Sequence, residues 1–207
     1  MWPGVCLKAR HAGRLGRMSE VMGPMLLSRS KALVLTVLAA LLMIVGNAFA
    51  IEPGADGYYH TGSGTRVKSI AFVDVKVYSI SHFTKKLPEA KSKRAVIDLD
   101  ADKKLVWKML RDVDAEKIQG ALKDAFEMNG YGDGGKIGKF IGAFSKELKE
   151  NASVSIVYNS EKKTTTVNVQ GGGSASVEGV DFMKAVWSIW FGKIDQPKLG
   201  DAMISKL

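Results

Sequence analysis

The most constraining feature of this chain is a pair of apolar stripes, each of which needs a second layer to cover it. Ile118, Ala121, Leu122, Ala125 and Phe126 follow Asp114, a plausible N-cap, and repeat at i, i+3, i+4, i+7 and i+8. That spacing buries one face of a helix. The stripe stops at Gly130, and a second one follows with Ile137, Phe140, Ile141, Phe144 and Leu148. Two one-sided helices in succession cannot hide their apolar faces in water, so the rest of the chain must supply a layer for them.

Strand patterns supply it. Thr65 to Ile70 and Val75 to Phe83 are rich in Val, Ile, Ser and Tyr, with a turn near Phe72 to Asp74. The glycine-rich stretch ending at Gly64 reads as a turn, or as part of a loop or short edge strand over Ile51 to Gly64, that delivers Arg66 to the first strand. "AVIDL" (95–99) and "KLVWKMLRDV" (104–113) read as further strands. In the second, Leu105, Trp107 and Met109 alternate with Lys108, while Val106 and Leu110 blur the pattern. "SVSIVYNSEKKTTTVNVQ" (153–170) is a hairpin turning at Asn159 to Lys163, and "SASVEG" is a last strand. Asp181 is expected to cap a third helix, and Pro197 opens a short final one. Strands in adjacent pairs and helices in blocks predict an α+β fold, an antiparallel sheet with helices packed on one face. A cleft between the two layers is the expected place for a ligand.

The first fifty residues read differently. Arg29 and Lys31 precede an uncharged apolar run from Ala32 to Gly46, and Ala48-Phe49-Ala50 has the small-x-small form of a signal-peptidase site. Fifteen residues are short for a membrane span, which takes about 20. The reading is a leader over 1–50, cleaved after Ala50, and one domain over 51–207, exported to the periplasm or secreted. An uncleaved anchor is the alternative. Six of the 30 Lys and Arg residues lie in the leader, but only Glu20 of the 21 acids. The remainder carries about +4 rather than +9. That is a solubility-level charge, so no nucleic-acid partner is expected, nor a membrane once the leader is gone. The one cysteine, Cys6, leaves with the leader, which excludes disulfide and thiol chemistry from the remainder.

Several chemistries are excluded by pattern. "GSGTRV" puts Val67 where a dinucleotide-binding loop needs its third glycine. "NGYGDGGKIGKF" lacks the alternate acids and closing glutamate of a calcium loop. Only His60 and His82 lie beyond the leader, without cysteine or paired helical spacing, so no zinc site is expected. No serine stands beside a credible base. No cofactor or metal is expected.

Arg66 remains. It cannot lose its charge, and burial without a partner is costly. A three-residue turn at 71–73 puts Arg66 opposite Tyr78, about 5 Å away at the β-carbon, whereas a two-residue turn shifts the pairing by one. Either Arg66 pairs with an acid of the protein itself, such as Asp98 or Glu127, or it binds an anion at the mouth of an apolar pocket.

Three segments together resemble the chalcone isomerase family. "GSGTRVKSIAFVDVKVYSI" resembles its arginine-bearing strand pair. "NGYGD" resembles its segment between two helices, and "AVWSIWFGKIDQPKLGDAMI" resembles its C-terminal signature. With the leader, the nearest likeness is to bacterial exported chalcone isomerase-like proteins rather than to the plant enzyme. The resemblance implies the same sheet-and-helix fold. It implies also that, if the chain is an enzyme, Arg66 and Tyr131 match the arginine and tyrosine that assist a cofactor-free ring closure of an enone. The departures are Tyr78, where the plant enzyme has threonine, and Ile189, where it has a small hydroxyl residue, beside Trp187 and Trp190.

The fatty-acid-binding branch pairs its arginine with a tyrosine on the next strand, and Arg66 with Tyr78 fits that pairing. Phe126, Ile137, Ile141, Val186, Ile189 and Trp190 would then hold an acyl tail. Three readings follow: a binder of a small amphipathic carboxylate, an isomerase, or an interaction protein without a small ligand. The third requires a filled interior and Arg66 paired with an acid of the protein. The sequence leaves the oligomeric state open.

Overall fold

The computed structural model describes residues 51–70 and 72–207. The leader, its apolar run and its cleavage site lie outside the described residues. Six strands form one sheet in chain order, each antiparallel to the next: β1 (Tyr59–Ile70), β2 (Val73–Thr84), β3 (Lys103–Met109), β4 (Ser153–Asn159), β5 (Thr164–Val169) and β6 (Ser174–Glu178). Five helices complete the described fold: α1 (Lys93–Asp98), α2 (Ala115–Met128), α3 (Gly134–Ile141), α4 (Val180–Phe191) and α5 (Pro197–Met203). No described helix is long and apolar enough to cross a membrane.

Side-chain alternation decides which face the helices cover. Tyr78, Ile80, His82 and Thr84 of β2 are buried, as are Lys103, Leu105, Trp107 and Met109 of β3. On β3, Val106 and Lys108 point to the other face, and Leu110 lies past the strand, which resolves the blurred pattern. Successive strand residues face opposite sides, so one residue of slip would expose this whole set. The opposite face is polar, with a Ser63–Ser81 hydroxyl pair at 2.7 Å and a Thr166–Ser176 pair at 2.8 Å.

The α+β expectation stands, with five local corrections. Residues 95–99 are not a strand but lie in and beside α1. Ser92 accepts the Ala95 N–H through its hydroxyl, a helix-starting cap that overrides the strand preference of Val96 and Ile97. Of the readings of the glycine-rich stretch the turn fails and the edge strand stands, because Gly62 and Gly64 lie within β1 where α5 crosses it. A β-carbon on Gly62 would fall 2.3 Å from the Ala202 carbonyl oxygen, and one on Gly64 would fall 2.6 Å from Leu199. Glycine is there for close approach.

The second helix is shorter than its stripe. α3 ends at Ile141, while Phe144 and Leu148 stay buried on the following turns, Leu148 through a two-bond bridge to Val113. Asp181 sits in the first turn of α4, whose cap is Gly179. Finally, the layers leave no visible cleft between them among the described residues. Trp107, Trp187, Trp190, Phe126, Phe140, Phe144 and Phe182 are essentially fully buried there. Phe126, Phe140 and Phe182 meet one another at centroid separations of 5.6–6.0 Å.

Candidate functional site

The register of the first hairpin positions Arg66. Ile70 pairs directly with Val73, so the turn has two residues. A bulge at Val77 then restores the pairing of Arg66 with Tyr78 that the longer turn predicts. The two side chains therefore emerge on the same, helix-covered face.

Arg66 reaches toward the α4–α5 connection. Its Nη2 lies 2.7 Å from Asp195 Oδ1 and donates to Oδ2 at 3.0 Å. Nη1 donates to Gln196 Oε1 at 3.3 Å. Lys68 Nζ stands 3.7 Å from the same carboxylate. The acid that partners Arg66 is thus neither Asp98, which pairs with Arg94 and Lys184, nor Glu127. The Arg66 side chain is 17% exposed and Asp195 50%, so the pair is half in water. Such pairs contribute modestly, about 1 kcal/mol or less.

Gln196 does more to fix the geometry. Its Oε1 accepts the Val67 N–H at 2.9 Å, and its Nε2 donates to the Thr65 carbonyl at 2.9 Å. One side-chain amide thereby pairs with the free edge of β1 as a strand residue would. Beside it lies an open groove of about 510 Å³ lined by Arg66, Lys68, Ser69, Asp74, Asp195 and Gln196, along with Val67. The open space at Arg66 is polar and lies at the sheet margin, not between the layers.

Tyr78 is almost fully buried and stacks on Trp107 at 4.8 Å with the rings 9° apart. Its hydroxyl accepts from Trp190 Nε1 at 3.0 Å. Among the described residues, no acceptor takes the phenol's own proton. Burial pushes its pKa up, opposed by the Trp190 bond and by the nearby Arg66 charge, so it stays a neutral donor.

Tyr131 does not join this group. Gly130, in a left-handed conformation at φ 79°, turns the chain after α2. The Tyr131 hydroxyl donates to Asp181 Oδ2 at 3.0 Å, and Lys136 Nζ donates to the same carboxylate at 2.9 Å. Burial and the neighbouring Asp181 charge push the Tyr131 pKa up. The Tyr131 ring packs on Phe126 and Phe182, and it shares no partner with Arg66. Phe126, Ile137, Val186, Ile189 and Trp190 are core residues packed together, with Ile141 half-buried beside them. Asp195 and Gln196 were not singled out from sequence. Their only signal is a polar pair just before Pro197, at the start of a helix.

An open-faced antiparallel sheet roofed by helices defines the class of fold. The sequence matches the family model described as chalcone isomerase-like over residues 50–204, and the chain belongs to that family. No curated protein matches the sequence. Among solved structures, a fatty-acid binding protein of Arabidopsis thaliana shares the fold. Its TM-score is 0.59 at 14% identity, over 73% of this chain and 89% of that one.

Proposed function

We propose that this chain is an exported binding protein for a small amphipathic carboxylate of the fatty-acid kind, whose head group is held by Arg66. The carrying observation is that Arg66 already holds a carboxylate. Asp195 lies against Nη2 at 2.7 and 3.0 Å with Lys68 alongside, an arrangement that a ligand's carboxylate can take over. Tyr78 pairs with Arg66 across the hairpin but lies buried against Trp107 and Trp190, outside the lining of the groove, so the head group rests on Arg66 and Lys68. The fatty-acid binding of the Arabidopsis relative of the fold supports the choice of ligand. Export is supported by the leader pattern, and the family match begins where that leader ends.

A second reading has its own observation. The interior is filled and Arg66 is paired with Asp195, which are the two conditions for an interaction protein without a small ligand. The isomerase reading, resting on Arg66 and Tyr131, has no such observation, since the two share no partner.

The test is binding of a fluorescent fatty acid to wild type, Arg66→Ala and Asp195→Asn. Arg66→Ala is expected to weaken binding tenfold or more, for loss of a charge-assisted bond worth about 1.5–3 kcal/mol. Asp195→Asn is expected to tighten it, because the competing carboxylate is gone. Equal binding by wild type and Arg66→Ala overturns the carboxylate reading, and no binding by any form favours the second.

A further inference from the structure

The first hairpin is longer than the sheet that supports it. β2 pairs with β3 only from Tyr78 to Thr84. The four outermost rungs of the hairpin, Val67–Lys76, Lys68–Val75, Ser69–Asp74 and Ile70–Val73, therefore have no third strand beside them among the described residues. A bare two-stranded ribbon is marginal in water, and this one ends in apolar side chains. Phe72 is fully exposed and Val73 is 62% exposed. Phe72 also adopts φ 70°, a left-handed conformation that glycine or asparagine takes at far lower cost. Neither local conformation nor core packing accounts for a bulky aromatic at that position.

We propose that this tip inserts into the surface of an anionic lipid bilayer. The tip presents its apolar residues at the end of a ribbon, not on one flat face, so insertion end-on buries them from all sides. The charges behind it match a lipid head-group layer. Lys76 is exposed, Lys68 is 60% exposed with Asp195 at 3.7 Å sharing its charge with Arg66, and both lysines belong to the two rungs behind Ser69–Asp74. At a rise of about 3.4 Å per residue, the Lys68 rung lies ~7 Å behind the Val73 rung. Interfacial segments bury their apolar side to about 5–10 Å, so the ammonium groups reach the phosphates. The one acid on these rungs, Asp74, is engaged by the Ser69 hydroxyl at 2.6 Å.

Lys68, Ser69 and Asp74 also line the groove at Arg66, so docking sets that groove against the bilayer. A role in loading the site from lipid rests on the carboxylate reading above, whereas the docking itself does not. It departs from the sequence expectation of a chain independent of membranes once the leader is removed.

The experiment is co-sedimentation of residues 51–207, a compact unit with its own core, with vesicles of phosphatidylcholine alone or mixed with phosphatidylglycerol. The wild type is expected to sediment with the mixed vesicles and less with phosphatidylcholine alone. Phe72→Gly relieves the left-handed strain, so its Tm should equal or exceed wild type while its vesicle affinity falls roughly tenfold. Lys76→Glu should remove the preference for anionic vesicles. Arg66→Ala should still sediment, and Phe72→Gly should still bind fatty acid from solution, which separates this proposal from the ligand reading. Failure of the wild type to sediment, or equal sedimentation of Phe72→Gly, overturns docking. So does lipid-free self-association that Phe72→Gly abolishes, which would assign the tip to a second copy of the chain.

Discussion

The indole nitrogen of Trp190 donates to the hydroxyl of Tyr78 across 3.0 Å, joining α4 to β2 through a bond buried on both sides. The same tyrosine stacks on Trp107, which meets Trp190 edge-on at 5.2 Å. Three aromatic rings therefore set the spacing between the helical layer and the first hairpin.

Tyr78→Phe keeps the stacking but leaves the Trp190 N–H without an acceptor. A buried unpaired donor costs about 1–3 kcal/mol. Urea unfolding should show that loss for Tyr78→Phe. The double change with Trp190→Phe should cost less than the sum of the two single changes, because both partners of the bond are then gone. Strict additivity of the two changes would mean that the bond contributes nothing.

Gly62→Ala tests the crossing of α5 over β1. The new methyl falls 2.3 Å from the Ala202 carbonyl oxygen and 2.8 Å from the Met203 carbonyl carbon, both backbone atoms that cannot swing aside. A loss of ~2 kcal/mol or more is expected, read from thermal or urea unfolding. Gly120→Ala, with nothing within 4 Å of its β-carbon, is the matched control and should not destabilise.

His82 makes the fold sensitive to acid. Thr61 donates to the Met203 carbonyl at 2.7 Å, which assigns the proton of the 2.7 Å Thr61–His82 contact to His82 Nδ1. Its Nε2 has no partner among the described residues, and Phe191 lies edge-on at 5.1 Å. Burial, with the Lys103 charge nearby, lowers its pKa from 6.5 to about 3. Between those two values the unfolded chain holds the proton and the folded one does not, so stability falls as pH drops from about 6.5 to about 3. The full effect is of order 3–5 kcal/mol. His82→Gln should show a shallower fall over this window in unfolding measured against pH, and parallel curves would refute the assignment.

Lys103 acts in the same sense at higher pH. It is buried, donates to the Val96 and Ile97 carbonyls at 2.8 and 3.2 Å, and lies over the Trp187 ring at 4.8 Å. Burial lowers its pKa from 10.5 to about 7. The unfolded chain binds the extra proton between those values, so this residue makes stability rise as pH goes from about 7 to about 10.5. Lys103→Met should remove that rise, whatever it does to stability at a single pH. An unchanged alkaline limb would show that Lys103 is charged in the fold.

What could be read from sequence follows from the range of each interaction. The stripe from Ile118 to Phe126 and the strand over Val75 to Phe83 are local signals: both elements form, with Ile118, Leu122 and Phe126 buried although Ala121 is exposed. The helix at Lys93–Asp98 was missed because Val96 and Ile97 favour strands. Its causes are a serine cap and a lysine that reaches two of its carbonyls from the next strand. The Arg66–Tyr78 pairing was expected through a three-residue turn but arises from a two-residue turn plus a bulge, and no residue type announces that compensation. Asp195 was out of reach for a simpler reason: it lies 129 residues from the arginine it holds, and only the folded path of α4 and α5 brings them together.

The amide of Gln196, set against the Thr65 carbonyl and the Val67 N–H, also bears on how this chain behaves at high concentration. An open sheet ends in strands whose backbone can recruit another chain, the first step of ordered aggregation. Here one side chain occupies that backbone where β1 leaves the shelter of α5, so growth of the sheet stops on a residue from its own C-terminal region. Solubility in this protein therefore depends in part on a glutamine that contributes nothing to the hydrophobic core.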